Sequence, residues 1–112
     1  MDSPRPREDL CPLDVAVTGT AESVWVQVGG EVDLSNSARL EDVLSTVDCG
    51  HADTVNLDLR RLSFCDTRGC QILLLFNRQA WRSGCATKIH GAVPTVRKVL
   101  NLLAPDERFD FA

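Results

Sequence analysis

The chain has 112 residues and a formal net charge of −4, and its 44% hydrophobic and 25% charged residues are close to the averages of globular domains. This length suits one domain with one core. The lysines and arginines are scattered and form no positive stripe, so we expect no nucleic-acid partner. The longest apolar run, residues 72–76, is too short to span a membrane.

The first ten residues hold two prolines and five charged side chains, which predicts a flexible arm over residues 1–10 and a folded domain over residues 11–112. No apolar stretch typical of a secretory signal lies in this segment, so we expect a cytoplasmic protein. The five cysteines are an odd number without a CxxC pair, and we interpret them as reduced thiols. They are Cys11, Cys49, Cys65, Cys70 and Cys85.

The strand predictions rest on alternation and on β-branched composition. Alternating apolar and polar residues predict strands over residues 13–17 and 55–59. The β-branched and aromatic residues of 23–28 predict a strand that ends at Gly29-Gly30, and a short strand is expected over residues 86–90.

Apolar residues at helical spacing predict helices near residues 36–48, 68–83 and 94–104. Ser35, Asn36 or Ser37 is a candidate cap of the first helix, and the residues around Phe109 and Phe111 are expected to form a last strand or a packed tail. The resulting order, ββαβαβα, indicates the α/β class. We expect a mixed sheet of four or five strands packed with three to four helices.

The chain has few of the residue patterns that catalysis requires. It contains none of the sequence motifs of P-loop, dinucleotide-binding, zinc-protease or serine-hydrolase sites, and it contains no tyrosine. His51 and His90 have no evident orienting partner in sequence, and the cysteines lack the spacing of zinc sites. We therefore predict no enzymatic activity, no cofactor and no metal site.

Two segments carry a more specific pattern. Residues 30–34 read GEVDL between a predicted strand and a predicted helix, and residues 57–69 read LDLRRLSFCDTRG before the most apolar helix. Together, in this order and spacing, they resemble the STAS domain family in its anti-sigma-factor antagonist class. The resemblance covers about residues 13–104, by the element spacing.

The resemblance implies a single STAS-like domain that binds an anti-sigma factor with a GHKL-type kinase fold. It also implies that this partner phosphorylates the hydroxyl residue of the D-[ST]-x-G motif, which is Thr67 here, and that a PP2C-type phosphatase reverses the modification. The implied partner-binding residues are Glu31, Asp33, Ser35, Asp66, Thr67, Arg68 and Gly69. Because parallel neighbouring strands end at one edge of a sheet, we expect Asp33, Ser35, Asp66, Thr67 and Arg68 to form one exposed patch.

Alternatives remain open at the sequence level. Asp66 or Thr67 is also a plausible helix cap, since such residues are common at helix starts. The chain would then be a non-phosphorylated STAS scaffold, or an accessory subunit of a signalling complex or lipid-transport system. Three residues depart from the usual motif: Thr67 replaces serine, Arg68 replaces a small residue, and Cys70 replaces leucine. Arg68 is positioned to pair with Asp66 or with a phosphate on Thr67.

Overall fold

The computed structural model describes residues 12–107 and 109–112, and in this part of the chain the elements follow the predicted order ββαβαβα. The predicted arm over residues 1–10 lies outside the described residues. The strands are β1 (Leu13–Gly19), β2 (Ser23–Val32), β3 (Thr54–Cys65) and β4 (Ala86–His90), and the helices are α1 (Ser37–Leu44), α2 (Thr67–Arg82) and α3 (Pro94–Leu103).

The four strands form one mixed sheet in the order β1-β2-β3-β4, which confirms the predicted fold class. β1 and β2 form an antiparallel hairpin, whereas β3 runs parallel to both β2 and β4. The C-terminal tail extends the sheet by a single bridge, in which Ile89 N donates to Asp110 O and Ala112 N donates to Ile89 O, each at 2.8 Å. The tail therefore covers part of the β4 edge without forming a full fifth strand.

One face of the sheet is apolar and forms the core with the helices. Its buried side chains include Val26, Leu57 and Ile89, and they join one cluster with Leu40 of α1, Leu73 of α2 and Leu100 of α3. Successive side chains of a strand point to opposite faces. The other face consequently carries Trp25, Asn56, Asp58 and His90, where the Trp25 and His90 rings stack with centroids 4.7 Å apart. None of the helices in the described ranges is long and apolar enough to cross a membrane.

β2 and β3 continue further than the sequence predicts, and the prediction that β2 ends at Gly29-Gly30 is wrong. Gly30 adopts φ +93°, and a Cβ built there would lie 2.2 Å from the Pro12 carbonyl oxygen. Glycine permits this close approach, so β2 reaches Val32. In β3 the pairing with β2 shifts register twice, which lets its polar residues face solvent while the strand runs on to Cys65.

α1 is shorter than predicted and ends at Leu44 instead of near residue 48. Two hydroxyl side chains donate hydrogen bonds to carbonyl oxygens of its last turn. Ser45 Oγ donates to Asp42 O at 2.6 Å, and Thr46 Oγ1 donates to Val43 O at 2.7 Å. Such local bonds compete with continuation of the helix. Val47 still packs against the core, which explains why it fits the apolar stripe.

Asp58 on the polar face of the sheet is a buried carboxylate held by one arginine. Arg60 donates to both of its oxygens, with Nε–Oδ1 at 2.9 Å and Nη2–Oδ2 at 2.7 Å, and the Asp58 side chain is 8% exposed. These hydrogen bonds lower the pKa of Asp58 from 3.8 to about 2, against the opposing effect of burial. The carboxylate therefore stabilises the fold in its charged form.

We predict that Asp58→Asn lowers the free energy of unfolding at pH 7 by about 1–2 kcal/mol. Because the folded-state pKa is the lower one, this contribution is fully present above pH 3.8 and is lost as the pH falls towards 2. The two proteins should therefore converge in stability between pH 4 and 2 in denaturant titrations. The charge-matched control is Asp53→Asn, since Asp53 is an exposed carboxylate directly before the first residue of β3. A pH-independent loss in Asp58→Asn would contradict the prediction.

Candidate functional site

The two sequence motifs meet at one edge of the sheet. Val32, the last residue of β2, pairs with Cys65, the last residue of β3, and the two strands are parallel. One further hydrogen bond, from Asp66 N to Val32 O at 3.0 Å, joins the loops directly. Asp33 and Thr67 follow these residues in their own loops, so the structure places the two loops side by side.

The first loop is closed by its own polar side chains. Asp33 Oδ1 accepts hydrogen bonds from Ser35 N at 2.9 Å and from Ser35 Oγ at 2.6 Å. Asn36, which is buried, accepts from Asp33 N and donates to Glu31 O. Of the three candidate caps, Asn36 occupies the N-cap position, but its side chain makes no bond to the first turn of α1. It holds the loop against β2, with Glu31, Asp33 and Ser35 partly exposed.

The second loop places a free hydroxyl at a helix start. Asp66 Oδ1 accepts a hydrogen bond from Gly69 N at 2.8 Å, and Asp66 is the N-cap of α2. Thr67 is the first residue of the helix and is exposed. Its hydroxyl makes no hydrogen bond with any residue in the described ranges. The cap is therefore Asp66 and not Thr67.

Gly69 is the reason that the start of α2 can pack so closely on the strand ends. A Cβ built on it would lie 2.5 Å from Cys65 Sγ and 2.7 Å from Val32 Cγ1. These distances leave no room for a side chain. Gly69 is buried, so the motif has glycine at this position for packing. The exposed residues beside it are Thr67 and Arg68.

Arg68 points towards α1 rather than towards Asp66. Its Nη2 lies 3.7 Å from Glu41 Oε1, and both side chains are about half exposed. An ion pair of this kind contributes about 0–1 kcal/mol to stability. This ion pair therefore contributes little to the fold.

Sequence reasoning missed three exposed apolar side chains near these loops. Leu34, beside Asp33, is 82% exposed, and Phe64, which lies opposite Glu31 in the β2–β3 register, is 50% exposed. Leu75 is 51% exposed and lies two turns along α2 from Thr67 and Arg68 on the solvent side. Apolar residues inside polar motifs were the available signal, but the sequence did not show on which side of the strand or helix they lie.

These features define a class of protein: a small mixed α/β domain that presents an acidic loop and a hydroxyl-bearing helix start at one sheet edge. The chain belongs to the STAS family, since the family model described as "Mlab, STAS domain" matches residues 15–108. Membership of this family agrees with the prediction that the chain binds a partner and is not an enzyme. A comparison with curated protein sequences gave no match.

Solved structures share this fold at low sequence identity. An anti-sigma factor antagonist from Mycobacterium paratuberculosis is 20% identical, with a TM-score of 0.75 over 96% of this chain and 87% of the other. The anti-sigma factor antagonist SpoIIAA in its unphosphorylated form is 23% identical, with a TM-score of 0.69 over 90% and 87%. The phosphorylated form of SpoIIAA, a Bacillus cell fate determinant, is 24% identical, with a TM-score of 0.67 over 90% and 91%.

We predict that Asp66→Ala lowers the free energy of unfolding by about 1 kcal/mol, because it leaves the Gly69 N–H without its side-chain acceptor. Asp66→Asn keeps an acceptor oxygen and should lose less than half of that amount. Chemical denaturation of the three proteins measures both changes. Equal stability of wild type and Asp66→Ala would show that the cap contributes nothing.

Proposed function

We propose that this chain is an anti-sigma-factor antagonist. It binds an anti-sigma factor with a GHKL-type kinase fold through the two loops and the start of α2, and phosphorylation of Thr67 by that partner ends the binding. The observation that carries the proposal is the exposed, unbonded hydroxyl of Thr67 at the first position of a helix already capped by Asp66. SpoIIAA, whose fold this chain shares, occurs in both unphosphorylated and phosphorylated forms.

The chemistry requires this chain to supply only the acceptor. Thr67 Oγ forms a bond to the γ-phosphorus of ATP, the bond from that phosphorus to the bridging oxygen breaks, and ADP leaves. The hydroxyl proton passes to a base of the kinase. The kinase also holds the magnesium ion. The phosphatase, of PP2C type, returns the hydroxyl by hydrolysis of the phosphate ester.

The modified chain should stay folded. A phosphate on Thr67 lies at the amino end of α2, where the helix dipole stabilises a negative group by about 0.3–1 kcal/mol. It adds a charge of about −1.5 to −2 to a surface that already carries Asp66 and Asp33. Within an interface this added charge loses water beside the Asp66 carboxylate, so repulsion and desolvation oppose binding.

The alternative function is a constitutive STAS scaffold or accessory subunit in which Thr67 is only a helix cap. The hydrogen bond from Gly69 N to Asp66 Oδ1 gives the capping role to Asp66, which favours the first proposal. Binding that is insensitive to ATP would support the scaffold instead.

We predict that the partner, isolated by pulldown from native cells and purified, transfers one phosphate to wild-type protein. Thr67→Ala should bind the partner with unchanged affinity in the presence of ATP, because it cannot be modified. Thr67→Glu should bind at least about 100-fold more weakly, which corresponds to about 2.8 kcal/mol. Phosphate incorporation and dissociation constants are measured side by side.

Ser63→Ala is the matched control for the acceptor, since Ser63 is the other exposed hydroxyl residue of the motif and donates to Gly30 O at 3.0 Å. It should be phosphorylated at the wild-type rate. Phosphate found on Ser63, or none on the wild type, would contradict the assignment of Thr67. Loss of binding in a folded Thr67→Ala would indicate that Thr67 is a direct contact.

A second prediction concerns the exposed side chain of Leu34, beside Asp33. Leu34→Ser should weaken partner binding by about tenfold or more, because a side chain this exposed loses water only in a complex. Its thermal stability should stay close to that of the wild type. Leu102→Ser on α3, where the side chain is 69% exposed, is the control and should bind normally. Equal affinities of the two variants would remove Leu34 from the interface.

A further inference from the structure

Two buried cysteines bracket the segment that carries Thr67. Cys65 is the last residue of β3 and Cys70 lies in the first turn of α2, with residue exposures of 9% and 0%. The Cys70 thiol donates a hydrogen bond to Cys65 O at 3.8 Å. The Cys70 sulfur therefore lies against the end of β3, across the turn from strand to helix.

The surrounding packing places the Cys65 sulfur beside the start of α2, one residue from Cys70. The absence of a side chain on Gly69 leaves the space that Cys65 Sγ occupies, since a Cβ there would lie only 2.5 Å from that sulfur. Cys70 N donates to Asp66 O at 2.9 Å, which closes the first turn of α2. The loop between the cysteines contains Asp66, Thr67, Arg68 and Gly69.

We propose that Cys65 and Cys70 are a modification site: they form a reversible disulfide with hydrogen peroxide as oxidant, and the oxidised chain is a poor substrate for phosphorylation at Thr67. The second half of this inference rests on the proposed function. A disulfide requires sulfurs about 2.05 Å apart, so the strand end and the first turn are drawn together and locked. Thr67 then lies in a closed ring that cannot adapt to a kinase active site, where small misplacements of the acceptor slow the reaction strongly.

The paired thiols favour this chemistry over that of the other described cysteines. The Cys65 thiol hydrogen bonds to the Cys70 sulfur, which lowers the pKa of Cys70 and raises that of Cys65, while burial acts upwards on both. Burial raises the pKa of Cys49 and of Cys85, and neither has a thiol hydrogen bond that lowers it. Since the thiolate is the nucleophile, Cys70 is the more reactive position.

The reaction balances within the pair and one peroxide. When the turn opens, the Cys70 thiolate attacks a peroxide oxygen, the O–O bond breaks, and the departing hydroxide takes up a proton to give water and Cys70 sulfenic acid. The Cys65 sulfur then attacks the Cys70 sulfur and loses its proton, the S–O bond breaks, and a second water leaves. The two thiols lose two electrons to the peroxide, and a dithiol reverses the reaction by thiol–disulfide exchange.

Peptide mapping tests the disulfide without any partner. The full chain is treated with hydrogen peroxide, free thiols are alkylated, and the protein is digested with trypsin, which cleaves after Arg61, Arg68 and Arg78. We expect peptides 62–68 and 69–78 to be joined, two hydrogen masses below their sum, and to separate after treatment with dithiothreitol. Absence of this joined pair, while other cysteines are oxidised, would overturn the inference regardless of the kinase.

Phosphorylation rates then test the regulation. With the purified partner and ATP, oxidised wild type should take up phosphate at Thr67 at least tenfold more slowly than reduced wild type, and dithiothreitol should restore the rate. Cys70→Ala should be phosphorylated equally with and without peroxide, whereas the control Cys49→Ala/Cys85→Ala should behave like wild type. Equal rates for oxidised and reduced wild type would refute the regulatory half. If reduced wild type takes up no phosphate, the proposed function fails, while the joined peptides still decide the disulfide.

Discussion

The parallel pairing of β2 with β3 at their carboxyl ends is the constraint on which the site depends. Val32 lies opposite Cys65, and the hydrogen bond from Asp66 N to Val32 O continues the pairing one residue beyond the strands. Because β2 and β3 end at the same edge of the sheet, the loop of Asp33 and the helix start of Thr67 are neighbours. A shift of register by one residue would move the site apart and would turn buried side chains outward.

Close packing holds the helix start against the strand ends. Gly69 lets α2 contact Val32 and Cys65 directly, and Asp66 closes the first turn with its carboxylate. Eight of the 16 residues of α2 are buried, which fixes the helix on the sheet. The position of Thr67 is thus set by contacts of Asp66 and Gly69 and not by its own side chain.

The proposed switch depends on the charge at this end of the sheet. The residues at the carboxyl ends of β2 and β3 include the acidic Glu31, Asp33 and Asp66. Arg68 lies near Glu41 of α1. A phosphate on Thr67 increases the negative charge of this edge without burying a new group in the free protein. In the proposed complex, the added charge costs free energy of desolvation and repulsion, because the partner removes water from this edge.

The sequence alone determined the element order, the mixed α/β class and the two motifs, because alternation, helical stripes and the glycine-containing D-T-R-G segment are local signals. Tertiary structure decided the rest. It extended β2 through Gly29-Gly30, where glycine fits against Pro12, and it ended α1 at Leu44, where hydroxyl groups take the last carbonyls. It also exposed Leu34 and placed the Cys70 thiol against Cys65 O, since the direction of a side chain depends on register and packing that no local pattern encodes.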